Sequence, residues 1–137
     1  MGDAALMLDV LDGSLAVARL GADEPLPEWA SGGPLCAVAR TAQELSVVCP
    51  VERVPEGVRQ EAAFRALVVR GPLDFAITGV VSALSAPLAA AGIPIFVMST
   101  FDTDYLLVRE PRLGEAVSVL RGAGHEVFTE SLGGEVV

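Results

Sequence analysis

Lysine is absent from this 137-residue sequence, so arginine alone supplies its nine basic side chains, against 18 acidic ones. The formal net charge is −9. Because nucleic-acid binding depends on cations that neutralise phosphates, we expect neither DNA nor RNA as a partner. Anionic membrane surfaces are disfavoured for the same reason. The missing lysine also excludes Schiff-base catalysis and phosphate-binding loops of the lysine-bearing type.

Histidine and cysteine are scarce as well, with one histidine, His125, and two cysteines. A single histidine gives little support for a His-rich metal site or a Ser-His-Asp triad. Two cysteines do not make a disulfide framework. We therefore predict that the chain is not an enzyme and that it has no catalytic residues, no metal and no cofactor.

The two cysteines, Cys36 and Cys49, flank a predicted hairpin. If its loop consists of Ala42 and Gln43 alone, they face each other directly across the two strands. Free thiols in a reduced cytosol are the preferred interpretation, because buried cysteine behaves as a small apolar residue. The sequence leaves open whether they pair.

No basic segment precedes the first apolar run, so we expect no secretory signal and a cytosolic protein. Residues 75–101 contain no charged side chain and are numerous enough for a membrane span. Pro87, Gly92 and Pro94 interrupt this stretch, and no arginine cluster flanks it. We therefore interpret it as a buried helix, a turn and a buried strand.

Local patterns predict the secondary structure. Two strand-like runs, 4–11 and 14–20, are joined by Asp12-Gly13, which predicts a hairpin between them. In the second half, Thr78 is a suitable N-cap for a helix over 79–91, which Gly92 would end. The later elements are a hairpin turning at 100–104, a helix over 113–123 and a strand over 126–129.

A weak repeat relates the two halves of the chain. The hairpin segment GGPLCAVARTAQELSVVCP aligns with AGIPIFVMSTFDTDYLLVRE about 60 positions later, so that Glu44 meets Asp104. The second copy reads β-α-β-β-α-β, which is the ferredoxin-like arrangement of the α+β class. The first copy lacks the long helix. We predict a degenerate first unit over 1–61, a complete second unit over 62–131 and a flexible tail over 132–137.

Three phrases of the second half carry a family resemblance: the segment around 75–79, APLAAAGI at 86–93, and STFDTDYLLV at 99–108. Together they resemble the tandem ACT-domain proteins to which the CASTOR arginine sensors belong. The resemblance implies ACT domains that pair side by side, with an amino acid bound between two of them. It implies a regulatory, amino-acid-sensing protein.

The predicted ligand site combines a helix start with a hairpin turn. Free backbone N–H groups at the beginning of the 79–91 helix suit a carboxylate, and Gly79 allows close approach. The turn would hold the polar end of the ligand, and Asp104 falls on the ligand-binding aspartate of the resembling family. Ile77 stands where that family has an acid, which argues against arginine and for a neutral or smaller amino acid. The candidate ligand-binding residues are Phe75, Thr78, Gly79, Val80, Ser99, Thr100, Phe101 and Asp104.

We expect the helix start and the hairpin turn to lie at opposite ends of the sheet. A ligand touching both would then lie between two domains or two chains, so a homodimer is expected, with a further protein target possible. The alternative is a dimerisation or protein-interaction module without a small ligand. An enzyme that works only through the carboxylates of Asp102 and Asp104 is the third and least favoured hypothesis.

Overall fold

The computed structural model describes residues 5–74, 76 and 78–129. These residues form two compact units. The split unit comprises residues 5–12 and 65–129, and the continuous unit comprises Gly13–Phe64. The predicted first unit, 1–61, includes the first 12 residues, whereas the structure groups residues 5–12 with residues 65–129. The expected tail, 132–137, lies outside the described residues.

Eight strands, two α-helices and two short 3-10 turns make up the described secondary structure. In chain order they are β1 (Met7–Val10), β2 (Leu15–Gly21), β3 (Ala37–Arg40), β4 (Glu44–Pro50), a 3-10 turn (Val51–Arg53), β5 (Arg59–Val69), α1 (Val80–Ala90), β6 (Phe96–Ser99), β7 (Asp104–Arg109), a 3-10 turn (Glu110–Arg112), α2 (Leu113–Gly122) and β8 (Glu126–Phe128).

The continuous unit is an antiparallel sheet in the order β3-β4-β2 followed by the first residues of β5. Buried and partly buried side chains alternate over Glu44–Val47 of β4, whereas Val47–Pro50 are all buried. Trp29 packs against the core cluster of Ala18, Leu45, Val47 and Cys49. No α-helix occurs between residues 13 and 64, all of which the structure describes. The absence of an α-helix from residues 13–64 agrees with the expected lack of a long helix in the first half; that this half is a degenerate ACT-like unit stays a prediction.

The split unit has the predicted βαββαβ order, formed by β5, α1, β6, β7, α2 and β8. Its strands lie in the order β6-β7-β5-β1-β8. Strand β1 therefore lies between β5 and β8, which are the first and last strands of the βαββαβ unit. β1 runs antiparallel to β5 and parallel to β8. Both helices pack on a core that includes Leu67, Leu84, Leu106 and Leu120. The α+β, ferredoxin-like class is confirmed.

The predicted hairpin at Asp12-Gly13 is wrong. β1 pairs with β5 and β8, while β2 pairs with β4 and β5. An Asp-Gly pair permits a tight turn but does not by itself supply the cross-strand contacts that hold two strands together. Leu8 and Val10 instead join the core of the split unit.

The two hairpins predicted as repeats have the same turn chemistry. In β3–β4, Thr41 donates its backbone N–H to Glu44 O at 2.9 Å, and in the loop after β6, Thr100 N–H donates to Thr103 O at 2.8 Å. Both threonine Oγ1 atoms also accept backbone N–H bonds within their turns. A 3-10 turn follows each hairpin. The turn chemistry therefore repeats, but Glu44 corresponds to Thr103 and Leu45 to Asp104, so the predicted match of Glu44 with Asp104 is wrong by one position.

The charge-free stretch folds as a helix and a strand, because α1 and β6 both lie within residues 75–101. Leu84 and Leu88 on α1 are buried in the core of the split unit. None of the helices among the described residues has both the length and the apolar character needed to cross a bilayer.

Candidate functional site

Helix α1 begins at Val80 with an open N-terminus. Its first intrahelical bond joins Ala83 N–H to Gly79 O at 2.8 Å, so the N–H groups of Val80, Val81 and Ser82 precede the helical ladder. No described side chain caps this end, and no acidic residue lies in the first turn. The aligned peptide dipoles make such an end favourable for an anion.

Gly79, and not Thr78, is the N-cap residue of α1. Its φ of +84° lies in the left-handed region that other residues adopt only with strain. Thr78 is exposed and makes no capping hydrogen bond, so its predicted capping role is wrong. The other side chains predicted near this helix start, Phe75 and Ile77, lie outside the described residues.

The turn between β6 and β7 is held by short polar contacts. Ser99 donates its hydroxyl to Asp104 Oδ1 at 2.5 Å, across the antiparallel pair that these two residues form. Thr103 donates its hydroxyl to Val69 O at 2.6 Å and so attaches the turn to the end of β5. The Ser99 bond orients the Asp104 carboxylate, and the Thr103 bond holds the turn that carries it.

A backbone bond connects this turn to the segment that leads into α1. Leu73 donates its N–H to Asp102 O at 2.7 Å. Gly71 lies directly against this bond, since a Cβ there would be 3.0 Å from Leu73 N and 3.1 Å from Asp102 O. The close approach of these two backbone segments favours glycine at position 71, because a larger residue there would have to displace its neighbours.

Between the helix start and the turn lies a cavity of about 320 Å³, at the small end of the range of ligand pockets. Six of the eight predicted ligand-binding residues line it, and Thr78 does not. Its lining consists of Leu73, Asp74, Gly79, Val80, Val81, Ser82, Ser99, Thr100, Phe101, Asp102, Thr103 and Asp104.

The expectation that the helix start and the hairpin turn lie at opposite ends of the sheet is wrong, because both line this one cavity within the split unit. The reason is topological. The α1 crossover returns the chain so that β6 runs in the direction of β5, and the ends of both strands therefore reach the same edge. One unit thus supplies both walls.

Asp74 is the main residue of this wall that sequence reasoning missed. Its Oδ1 accepts the N–H of Ala76 at 2.9 Å, a local turn contact that carries no sequence signal for a ligand. With Asp102 and Asp104 it brings three carboxylates to the cavity, and none of the described lining residues is cationic. The lining therefore combines negative side chains with a positive helix end.

Comparison with known proteins identifies the kind of domain. A family model described as ACT domain matches residues 60–122, which contain the helix start and the hairpin turn of the cavity. A second family model, for an N-terminal domain, matches residues 13–57. The ACT domain is a regulatory and non-catalytic module, in agreement with the expectation that the chain is not an enzyme.

Solved structures share the fold over most of the chain. The X-ray structure of protein Atu0741 from Agobacterium tumefaciens is 41% identical, covers 93% of this chain and 96% of its own, and has a TM-score of 0.89. The regulatory subunit of aspartate kinase from Thermus flavus is 12% identical, with coverages of 88% and 97% and a TM-score of 0.58, and supports the fold alone.

A shorter match connects the chain to a human protein. The cytosolic arginine sensor for mTORC1 subunit 1 from Homo sapiens is 42% identical over 50 residues, which are 36% of this chain and 15% of that protein. The match thus spans less than a sixth of the sensor's length. With the domain match and the similarity over nearly the whole length of Atu0741, these comparisons show that the chain is an ACT-domain protein of the same family as the Agobacterium tumefaciens protein.

Proposed function

We propose that this protein binds a free amino acid in the cavity of the split unit and passes its occupancy on to a partner as a regulatory sensor. The observation that carries the proposal is the meeting, in one cavity, of the open N-terminus of α1 and the carboxylate of Asp104. An amino acid offers the two complementary charges, a carboxylate and an ammonium group.

The carboxylate of the ligand would bind at the start of α1. The N–H groups of Val80 and Val81 precede the helical ladder, and Gly79 leaves the backbone open, since a Cβ there would have no neighbour within 4 Å. Backbone N–H groups and the helix dipole together stabilise an anion in this position. Thr78 has no part in this arrangement.

The ammonium group would bind at the hairpin turn. Asp104 accepts a bond from Ser99 through Oδ1, which leaves its other oxygen for a charge-assisted bond to the ligand. Thr100 and Phe101 lie on the same side of the cavity. Phe101 would contact the side chain of the ligand.

The charge of the cavity restricts the ligand class. Three carboxylates repel an acidic side chain, so aspartate and glutamate are disfavoured as ligands. Ile77 replaces an acid of the resembling family, which argues against arginine as the ligand. Asp74, however, brings another carboxylate to the cavity, and a carboxylate could bind a guanidinium group. The named arginine sensor among the relatives makes arginine one of the ligands to test first.

A second copy of the chain would complete the site. Phe101 at the cavity is 82% exposed, which is unusual for a large apolar side chain and suits a surface covered by a partner. Helix α1 carries no charged residue on its exposed side. In this proposal the ligand stabilises one arrangement of two ACT units in the cytosol, and the sensor acts by population shift.

A thermal-shift screen against the twenty amino acids, with the mass in solution recorded, tests the proposal. A ligand at 100 times its dissociation constant adds about 2.7 kcal/mol and moves the midpoint by several degrees. A selective shift supports the sensor and names the ligand. A dimer that no amino acid stabilises would instead support the interaction module, for which the charge-free exposed face of α1 is the favouring observation.

A further inference from the structure

The hairpin of the continuous unit brings its two cysteines opposite each other. The register of β3 and β4 pairs Arg40 with Leu45 and ends with Ala37 opposite Val48. One step further along the same register, Cys36 faces Cys49. Because directly opposed residues of an antiparallel pair share a face of the sheet, the two thiols lie on the same side.

The hydrogen-bond pattern makes this pair geometrically suitable for a disulfide. Thr41 donates its N–H to Glu44 O, so these two residues form a hydrogen-bonded pair that closes the loop. From this pair onward, hydrogen-bonded and non-hydrogen-bonded pairs alternate along the two strands. By this alternation the pair of Cys36 and Cys49 is a non-hydrogen-bonded pair. The Cα atoms of such a pair are about 4.5 Å apart. That distance is within the range of about 4.4–6.8 Å found across disulfides.

Packing and burial agree with this register. Cys36 contacts the buried cluster that contains Cys49. Both cysteines are free thiols; Cys36 is half-buried, whereas Cys49 is fully buried at 0% exposure. Burial raises the pKa of the Cys49 thiol, and the nearby Cys36 raises it further. The more accessible Cys36 is therefore the group that an external reagent meets first.

We propose that Cys36 and Cys49 form a reversible disulfide by exchange with a small-molecule disulfide such as glutathione disulfide. The Cys36 thiolate attacks one sulfur of the reagent, which forms a mixed disulfide and releases one thiolate. Cys49 loses its proton to solvent and attacks the Cys36 sulfur, which forms the protein disulfide and releases the second thiolate. The dithiol gives up two electrons and two protons, and the reagent becomes two thiols.

Oxidation would link the end of β3 covalently to β4 through the Cys36–Cys49 disulfide. Among the described residues β3 pairs with β4 alone, so it is an edge strand that can open locally. Closing this short loop covalently restricts the unfolded chain and the opening of the hairpin. We expect the oxidised protein to melt at a temperature higher by roughly 5–10 °C, with slower amide exchange along β3.

The test treats the full chain with oxidised glutathione and measures intact mass with and without later reduction by dithiothreitol. The expected product is a chain with no covalent link to a second chain; it has lost two hydrogens, carries no glutathione, melts higher and reverts on reduction. A stable glutathione adduct, a disulfide between two chains, or unchanged thiols would each overturn the proposal.

A matched variant separates geometry from simple thiol reactivity. The double change Cys36→Ala with Ala37→Cys keeps two thiols but moves one to the opposite face of β3. It should take up glutathione without forming the internal disulfide. Internal disulfide formation at the same rate in this variant would show that the hairpin register does not direct the reaction. Cys36→Ala alone should leave Cys49 unmodified in the folded protein.

Discussion

His125 donates its Nε2–H to the carbonyl oxygen of Ala83 at 3.3 Å, and this carbonyl is the one that Pro87 leaves without its helical donor. In a regular helix residue 87 would bond residue 83, but proline has no N–H. The tautomer follows from the other side of the ring, where Nδ1 accepts the N–H of Leu6 at 3.1 Å. The buried His125 thus supplies the hydrogen-bond donor that Pro87 cannot give to Ala83 O. It also holds Leu6, the residue just before β1.

Replacing this histidine should destabilise the protein by removing both bonds. His125→Phe fills similar space but leaves Leu6 N–H and Ala83 O without this partner, and we expect a loss of about 1–3 kcal/mol in the free energy of unfolding. Urea unfolding measures it. His125→Gln, whose amide offers both N–H donors and an oxygen acceptor, should restore part of the loss.

A double-mutant cycle separates the repair of α1 from general packing. In a Pro87→Ala background the backbone supplies an N–H to Ala83 O, so His125→Phe should cost less there than in the original chain. Equal costs in both backgrounds would show that His125 does not compensate for the proline.

The contact between Leu73 and Asp102 makes Gly71 a sensitive position. Gly71→Ala places a Cβ 3.0 Å from Leu73 N and 3.1 Å from Asp102 O, so we expect the two atoms to move and their hydrogen bond to weaken. We expect a loss of about 1–3 kcal/mol in the free energy of unfolding and weaker ligand binding, because the two cavity walls move apart. Chemical unfolding and the amino-acid thermal-shift assay measure the two effects.

Gly114→Ala is the matched control for Gly71→Ala. Gly114 lies within α2 and a Cβ there meets nothing within 4 Å, so alanine should stabilise the helix by up to about 1 kcal/mol and leave ligand binding unchanged. If both variants lowered stability equally, steric contact at the cavity would not explain the result at position 71.

Asp104→Asn tests the charge that we assign to ligand binding. The amide keeps the size of the side chain and an oxygen for Ser99, but it removes the negative charge offered to an ammonium group. We expect the thermal shift given by the ligand to fall to a small fraction of its original value, while the melting temperature without ligand changes little. The same assay at fixed ligand concentration measures both.

The matched control makes the same chemical change away from the cavity. Asp23→Asn alters an exposed carboxylate in the continuous unit, and the ligand shift should be retained. A loss of the shift in both variants would indicate that net charge matters and not Asp104. Retention in both would remove Asp104 from the proposed site.

The sequence predicts local elements of this protein better than the contacts between distant segments. The βαββαβ order and the lack of a helix between residues 13 and 64 both follow from short patterns of apolar and turn residues. The position of β1 does not, because its pairing with β5 and β8 depends on residues about 60 or more positions away. The local turn signal at Asp12-Gly13 predicts that β1 pairs with β2, which is the wrong partner.

The candidate site shows the same division. Gly79, Val80 and Asp104 follow from helix-start and turn chemistry together with the family resemblance, and the structure brings them to one cavity. The place of Asp74 and the tight packing at Gly71 depend on residues 71–74 meeting the hairpin turn in space. No spacing in the sequence encodes such a meeting, so only the structure could show it.

The buried thiol of Cys49 gives the stability of the reduced protein a particular dependence on pH. Burial raises the pKa of this thiol in the folded chain, whereas the unfolded chain ionises it at its ordinary value. Below that ordinary value both states are protonated and the full stability is present. As the pH rises past it, the unfolded state loses its proton first, so the free energy of unfolding falls. Urea unfolding of the reduced protein from pH 7 to 10 should therefore show a steeper loss for the original chain than for Cys49→Ala. Cys36→Ala, which keeps the buried thiol, should retain most of the steep loss, and identical slopes in all three proteins would contradict the assignment.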